Sequence, residues 1–129
     1  KDLKDTNIFF ATNDPSPARV QIRIGDWGMS EVLSSNGHTK ICGGTPAFMA
    51  PEVWMCVLGH DTFGIKSDVY SLRVLFSYFC FDTDEPYRPA LPREKMPLAE
   101  MAPFYINTFQ GSLNKSNLAG SSACHDILH

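Results

Sequence analysis

Gly44-Thr45-Pro46-Ala47-Phe48-Met49-Ala50-Pro51-Glu52 is the stretch of this 129-residue chain from which its fold can be read. Pro51 stands where a proline fits the first turn of a helix, so a short helix over residues 51–58 is expected, ended near Gly59. Upstream, Met29 to Pro46 has no sustained hydrophobic period and is rich in Ser, Asn, Gly, Thr and Lys, as a mobile surface segment of functional length would be. Downstream, Ser67-Asp68 offers side-chain oxygens to the free amides of a helix reaching about Phe81. That run is apolar nearly all round, which predicts the buried centre of the domain.

Nearer the start, Ile8-Phe9-Phe10-Ala11 and Val20-Gln21-Ile22-Arg23-Ile24 read as the two strands of a β-hairpin, joined by the proline-bearing run Thr12 to Arg19. Alternation in the second strand predicts Val20, Ile22 and Ile24 on one face, toward a core. Asp26 follows that strand. Five of the nine prolines crowd between Asp82 and Pro103, a pattern of loops and short turns. A helix is expected over about Leu98 to Phe109, then a loop from Gly111 to Ser122 and the opening of another helix from Ala123 to His129.

Composition excludes several classes. At 14.4 kDa, with 43% hydrophobic and 12% aromatic residues, the chain can bury a real core. Fourteen acidic residues against 11 basic ones, the latter scattered, argue against a nucleic-acid partner. The longest apolar run, Val69 to Phe81, carries Arg73 and falls short of the roughly 20 residues a membrane span needs. Cysteines 42, 56, 80 and 124 contain no Cys-x-x-Cys pair, so reduced thiols in a cytoplasmic or nuclear setting are expected. Asn114-Lys115-Ser116 matches a glycosylation triplet of the kind that arises by chance. Cys124, His125 and His129 read as a plain helix edge rather than a metal site.

Three segments in order, Asp2-Leu3-Lys4-x-x-Asn7, Asp26-Trp27-Gly28 and Gly44-Thr45-Pro46-x-x-x-Ala50-Pro51-Glu52, resemble the lower lobe of a serine/threonine protein kinase. Phosphoryl transfer needs a group that orients the attacking hydroxyl, oxygen ligands for magnesium, and a loop that presents the peptide. By this resemblance Asp2 accepts the hydrogen bond of the substrate hydroxyl, Lys4 steadies the transferred phosphoryl group, and Asn7 and Asp26 hold Mg2+. Thr45 bonds the catalytic aspartate, and Glu52 forms an ion pair with an arginine beyond residue 129. Asp68 ties the catalytic-loop backbone to the buried helix. Trp27 keeps and enlarges the family's aromatic plug, Lys1 replaces an arginine, and Arg73 replaces a glycine that packs closely, a source of strain unless the side chain turns outward. Ser30, Ser34, Ser35 and Thr39 are either regulatory phosphosites or ordinary loop hydroxyls.

The resemblance implies an α+β fold, a kinase-like C-lobe that is mainly helical, with a β-hairpin at the catalytic loop and no N-lobe. Residues 1–129 form a partial domain: catalytic loop 1–7, metal-binding motif 26–28, activation segment 26–52 and buried helix about 67–81. The implied cofactors are ATP and Mg2+, and the implied partner is a protein with a Ser or Thr hydroxyl. No Gly-x-Gly-x-x-Gly occurs in the 129 residues, so negligible phosphotransfer is expected of them alone. Two rivals stand beside the enzyme: a pseudokinase-type scaffold using the surface around Pro86 to Phe109, and an incomplete product that does not fold stably.

Overall fold

Ile8–Phe10 (β1) and Ile22–Ile24 (β2) pair antiparallel, Ile8 opposite Ile24 and Phe10 opposite Ile22, so the expected hairpin forms. The computed structural model describes residues 1–11, 21–81, 89, 91 and 95–119, with backbone alone for Phe81 and 112–119. The linker between β1 and β2 therefore lies outside the described residues, as do most of 82–94 and the whole of Ala123 to His129 with Cys124, His125 and His129. The inward face expected for β2 is not found: Ile22 is 62% exposed and Ile24 is exposed as well. Among the described residues no layer covers that strand, and of the two paired strands only Ile8, opposite Ile24, reaches the small cluster of Phe48, Val74 and Leu75.

A second ladder pairs His38–Thr39 (β3), in the segment whose composition predicts a mobile surface stretch, with Phe63–Gly64 (β4), just before the helix that starts at Lys66. Two residues per strand leave no period to detect. Gly64 allows it, because a Cβ there would stand 2.8 Å from the Gly37 carbonyl oxygen.

The helices are Pro51–Val57 (α1), Lys66–Phe81 (α2) and Leu98–Ala119 (α3). Helix α1 begins with its proline and closes as expected: Gly59, at φ 80°, donates its amide to the Cys56 carbonyl at 2.8 Å. Its inner face packs on α3. The Trp54 and Tyr105 rings stack at 4.4 Å and 12°, surrounded by Val53, Phe63, Met101, Ala102 and Phe109. This α1–α3 cluster, not α2, is the larger core.

Helix α2 buries one stripe only. Val74 and Leu75 face Phe48, and the Ser71 hydroxyl donates to the Phe48 carbonyl at 2.7 Å. Leu72, Phe76, Tyr78 and Phe79 are exposed, Phe76 at 62%, because no described element packs on that side. The helix that the sequence predicts as buried all round is therefore a half-covered one. Its expected cap differs too: the Ser67 hydroxyl donates to the Gly64 carbonyl at 2.8 Å instead of accepting from a helix amide.

Helix α3 runs ten residues past the expected end at Phe109, through Gly111 and the Asn114-Lys115-Ser116 triplet. Gly and Asn lower helix propensity by at most about 1 kcal/mol each, which the packing of Met101, Tyr105 and Phe109 on α1 outweighs upstream. No helix among the described residues is long and apolar enough to cross a membrane.

Candidate active site

Asp2 is held in the left-handed region, at φ 77°, where an L-residue other than Gly or Asn rarely rests. Three contacts over-determine it. The Thr45 amide and the Thr45 hydroxyl donate to Asp2 Oδ1 at 2.7 and 2.6 Å, and the Asn7 side-chain amide donates to the Asp2 carbonyl at 3.0 Å. Lys4 completes the group: its Nζ lies 3.0 Å from Asp2 Oδ2 and donates to Thr45 Oγ1 at 3.1 Å. The three side chains expected to act together, Asp2, Lys4 and Thr45, are thus in mutual contact across a chain separation of 43 residues.

Gly44 delivers Thr45 to that position. Its φ of 138° lies outside the range of ordinary side chains, and a Cβ there would press on Met49 Cγ at 3.3 Å. Between this turn and the Asp2 loop only about 10 Å³ of space remains, room for about one water. Burial alone would raise the Asp2 carboxyl, but the Thr45 hydroxyl, Lys4 and the Thr45 amide outweigh it and hold the group below its ordinary value. Asp2 is an ionised acceptor at neutral pH. It suits the orientation of a hydroxyl rather than storage of its proton.

Asn7 is buried at the end of a 3-10 turn spanning Asp5–Asn7, and its carbonyl accepts from the Gly25 amide at 2.9 Å. That bond extends the β1–β2 ladder by one step and brings Asp26, the next residue, to the same end of the hairpin. Asp26 is exposed, sits at φ 55°, and accepts the Gly28 amide on Oδ1 at 3.3 Å. Asn7 commits its amide nitrogen to Asp2, so oxygen is the atom left for a cation, and the carboxylate of Asp26 is a second hard oxygen donor. The pair fits magnesium by chemistry.

Trp27 does not fill a buried pocket: it is 68% exposed, at the edge of an open groove of about 280 Å³ that Glu31, Phe63 and Ile65 also line. Arg73 is exposed and turned outward, which removes the strain expected of its replacing a glycine. Glu52 is half-buried and makes no ion pair among the described residues.

Lys1 anchors the Asp2 loop from the other side. Its Nζ pairs with Glu31 and donates to the Ile41 carbonyl at 2.6 Å, and its backbone nitrogen lies 3.3 Å from Asp68 Oδ1. The Asp68 contact is the one expected. Glu31 is not anticipated, since no motif contains it; burial opposes its charge, but hydrogen bonds from Lys1 and Thr39 prevail and lower its pKa. Thr39 and Ser34, read as loop hydroxyls or phosphosites, are engaged in the segment's own hydrogen bonds, Thr39 accepting from the Ile41 amide at 3.0 Å and Ser34 donating to the His38 carbonyl.

The cysteines correct the expectation of free thiols. Cys42, in the activation segment, and Cys56, on α1, form a disulfide with Cα atoms 6.1 Å apart. Fourteen residues of separation give no sequence signal; the turn through Gly44 to Ala50 creates the proximity. Cys80 is free and exposed.

Comparison with known proteins gives a match at the level of family. Residues 1–126 match the family model described as protein kinase domain. Among curated relatives, serine/threonine-protein kinase Nek1 of Toxoplasma gondii is 32% identical over 83 residues, 62% of this chain and 5% of that protein. Serine/threonine-protein kinase Nek3 of Oryza sativa subsp. japonica is 40% identical over 72 residues, 56% of this chain and 11% of that protein. Cell cycle serine/threonine-protein kinase CDC5/MSD2 of Saccharomyces cerevisiae is 39% identical over 77 residues, 58% of this chain and 10% of that protein. The chain therefore spans about a tenth or less of the length of these relatives.

Proposed function

We propose, because this chain belongs to the protein kinase family, that it supplies the catalytic loop and activation segment of a serine/threonine kinase, moving the γ-phosphoryl group of ATP to a protein hydroxyl. The observation that carries the reading is the contact of Asp2 with both donors of Thr45 and with Lys4. In such a site Asp2 accepts the hydrogen bond of the incoming Ser or Thr hydroxyl and aims its oxygen. Thr45, bonded to the same carboxylate, couples that aim to the segment that lies against the peptide. Lys4 places positive charge beside Asp2 Oδ2, where negative charge accumulates on the transferred group.

Asn7 and Asp26 are the residues that would hold Mg2+. When bound, the ion neutralises charge on the nucleotide phosphates. The chain's own part would be geometric: the β1–β2 ladder, extended by the Gly25 amide bond to the Asn7 carbonyl, carries both residues at one end of the hairpin.

The test is transfer of radiolabelled γ-phosphate from ATP by the parent protein, with Mg2+ and a mixed Ser/Thr and Tyr peptide pool. Label on Ser and Thr that disappears in Asp2→Asn supports the reading. A parent protein that gives no label and no thermal protection by magnesium-ATP would sink it and favour a scaffold. The scaffold has one observation in its favour, the exposure of Trp27 beside the metal-binding aspartate.

A further inference from the structure

Cys42 and Cys56 lie outside the groups that the proposed chemistry uses, yet their bond spans the segment on which it depends. We propose that they form a reversible thiol–disulfide couple that sets how firmly residues 41–45 are held against the Asp2 loop. The bearing on phosphotransfer rests on the function proposed above; the couple itself does not.

The argument is one of attachment points. Residues 41–45 are pinned to the Lys1-Asp2 dipeptide twice, through the Ile41 carbonyl to Lys1 Nζ and through the Thr45 amide and hydroxyl to Asp2. Between those points stand Gly43 and Gly44, the residues with least backbone restraint. The Cys42–Cys56 bond is the one covalent attachment within that span, and it fixes the span to α1, whose Trp54 is anchored in the core by Tyr105. Broken, it leaves a diglycine segment held by a few hydrogen bonds. Joined, it encloses Thr45 in a covalent ring from residue 42 to residue 56.

The two sulfurs are also unequally accessible, as a couple requires. Cys42 is partly exposed and Cys56 is buried, at the edge of an open groove of about 330 Å³ lined by Lys40, His60 and Asp61 among others. Oxidation by a small disulfide such as oxidised glutathione balances in two exchanges. The Cys42 thiolate attacks one sulfur of the oxidant, forming a mixed disulfide and expelling one glutathione thiolate. The Cys56 thiolate then attacks Cys42 Sγ, closing the protein disulfide and expelling the second. The protein thiols lose two electrons and two protons, which leave on two molecules of reduced glutathione.

The experiment equilibrates the full chain in buffers of varied oxidised-to-reduced glutathione ratio. Cysteines are then mapped by differential alkylation and non-reducing peptide mass spectrometry, and amide exchange is followed over residues 41–45. The expected result is a reversible Cys42–Cys56 peptide together with about tenfold slower exchange of those amides in the oxidised form. Cys56→Ser should abolish both effects and Cys80→Ser neither; Cys42→Ser, at the more exposed sulfur, serves if Cys56→Ser does not fold. Absence of the Cys42–Cys56 peptide under excess oxidant, pairing with another cysteine instead, or equal exchange in both forms overturns the proposal. Because neither readout involves ATP, these outcomes stand apart from the success or failure of the kinase reading.

Discussion

The amide and the hydroxyl of Thr45 converge on one oxygen of Asp2, at 2.7 and 2.6 Å. One residue of the activation segment thereby satisfies most of what a partly buried carboxylate in a left-handed backbone requires. Removing the hydroxyl alone separates the two bonds. Thr45→Val should cost about 1–3 kcal/mol of stability and lower phosphotransfer by the parent protein roughly 10²-fold, with Thr45→Ser recovering most of both. Chemical denaturation and steady-state kinetics check this; a Thr45→Val protein with full turnover would show that the contact is incidental.

Asp2 also predicts an acid limb. Its pKa is lowered in the folded chain, so its contribution to stability is fully present above the ordinary value of 3.8 and is lost as pH falls through the lower, folded value. Thermal melts of the wild type between pH 6 and pH 2, compared with Asp2→Asn, should converge toward the acid end. A constant difference across that range contradicts the geometry.

Lys1 and Glu31 pair through side chains that are each only slightly exposed. Removing one partner leaves the other charge uncompensated, so each of Lys1→Met and Glu31→Gln should destabilise more than the double variant implies. A coupling of about 1 kcal/mol is expected from the cycle. Additive effects would place the pair among ordinary surface contacts.

The two tryptophans give a direct check of the fold. Trp27 is 68% exposed and Trp54 is 0% exposed. Acrylamide should quench about half of the native fluorescence readily, and Trp27→Phe should remove that fraction. If both tryptophans are shielded, the exposed position of Trp27 is wrong.

Trp54 also carries the α1–α3 core. Trp54→Ala should cost about 3–5 kcal/mol and broaden the melt, since it deletes the stack on Tyr105 and leaves a cavity. Trp54→Phe should cost less, in part because the indole N–H is buried with no acceptor among the described residues.

Much of the site was legible from residue order. Asp2, Lys4 and Thr45 are named by motif and meet as expected, and Asp68 reaches the Lys1 backbone. What motifs do not contain was missed: Glu31 as the partner of Lys1, the ladder from Thr39 to Phe63, and the Cys42–Cys56 bond. Burial departs from expectation at Ile22 and Phe76, because apolar spacing records which face could be covered and not whether anything covers it, and at Trp27, whose expected plug rests on the resemblance rather than on spacing.

The lettering from Gly44 to Glu52, with Asp2 and Asp26 upstream, determined the family and α1, and the strand-favouring runs near Ile8 and Ile24 determined the hairpin, because each rests on local backbone preference or on a spacing written along the chain. Tertiary structure alone decided that Lys1 holds the Asp2 loop through Glu31 and the Ile41 carbonyl. Those contacts join residues 30 and 40 positions apart, and a separation of that size is closed by packing of the whole chain, which no local pattern encodes.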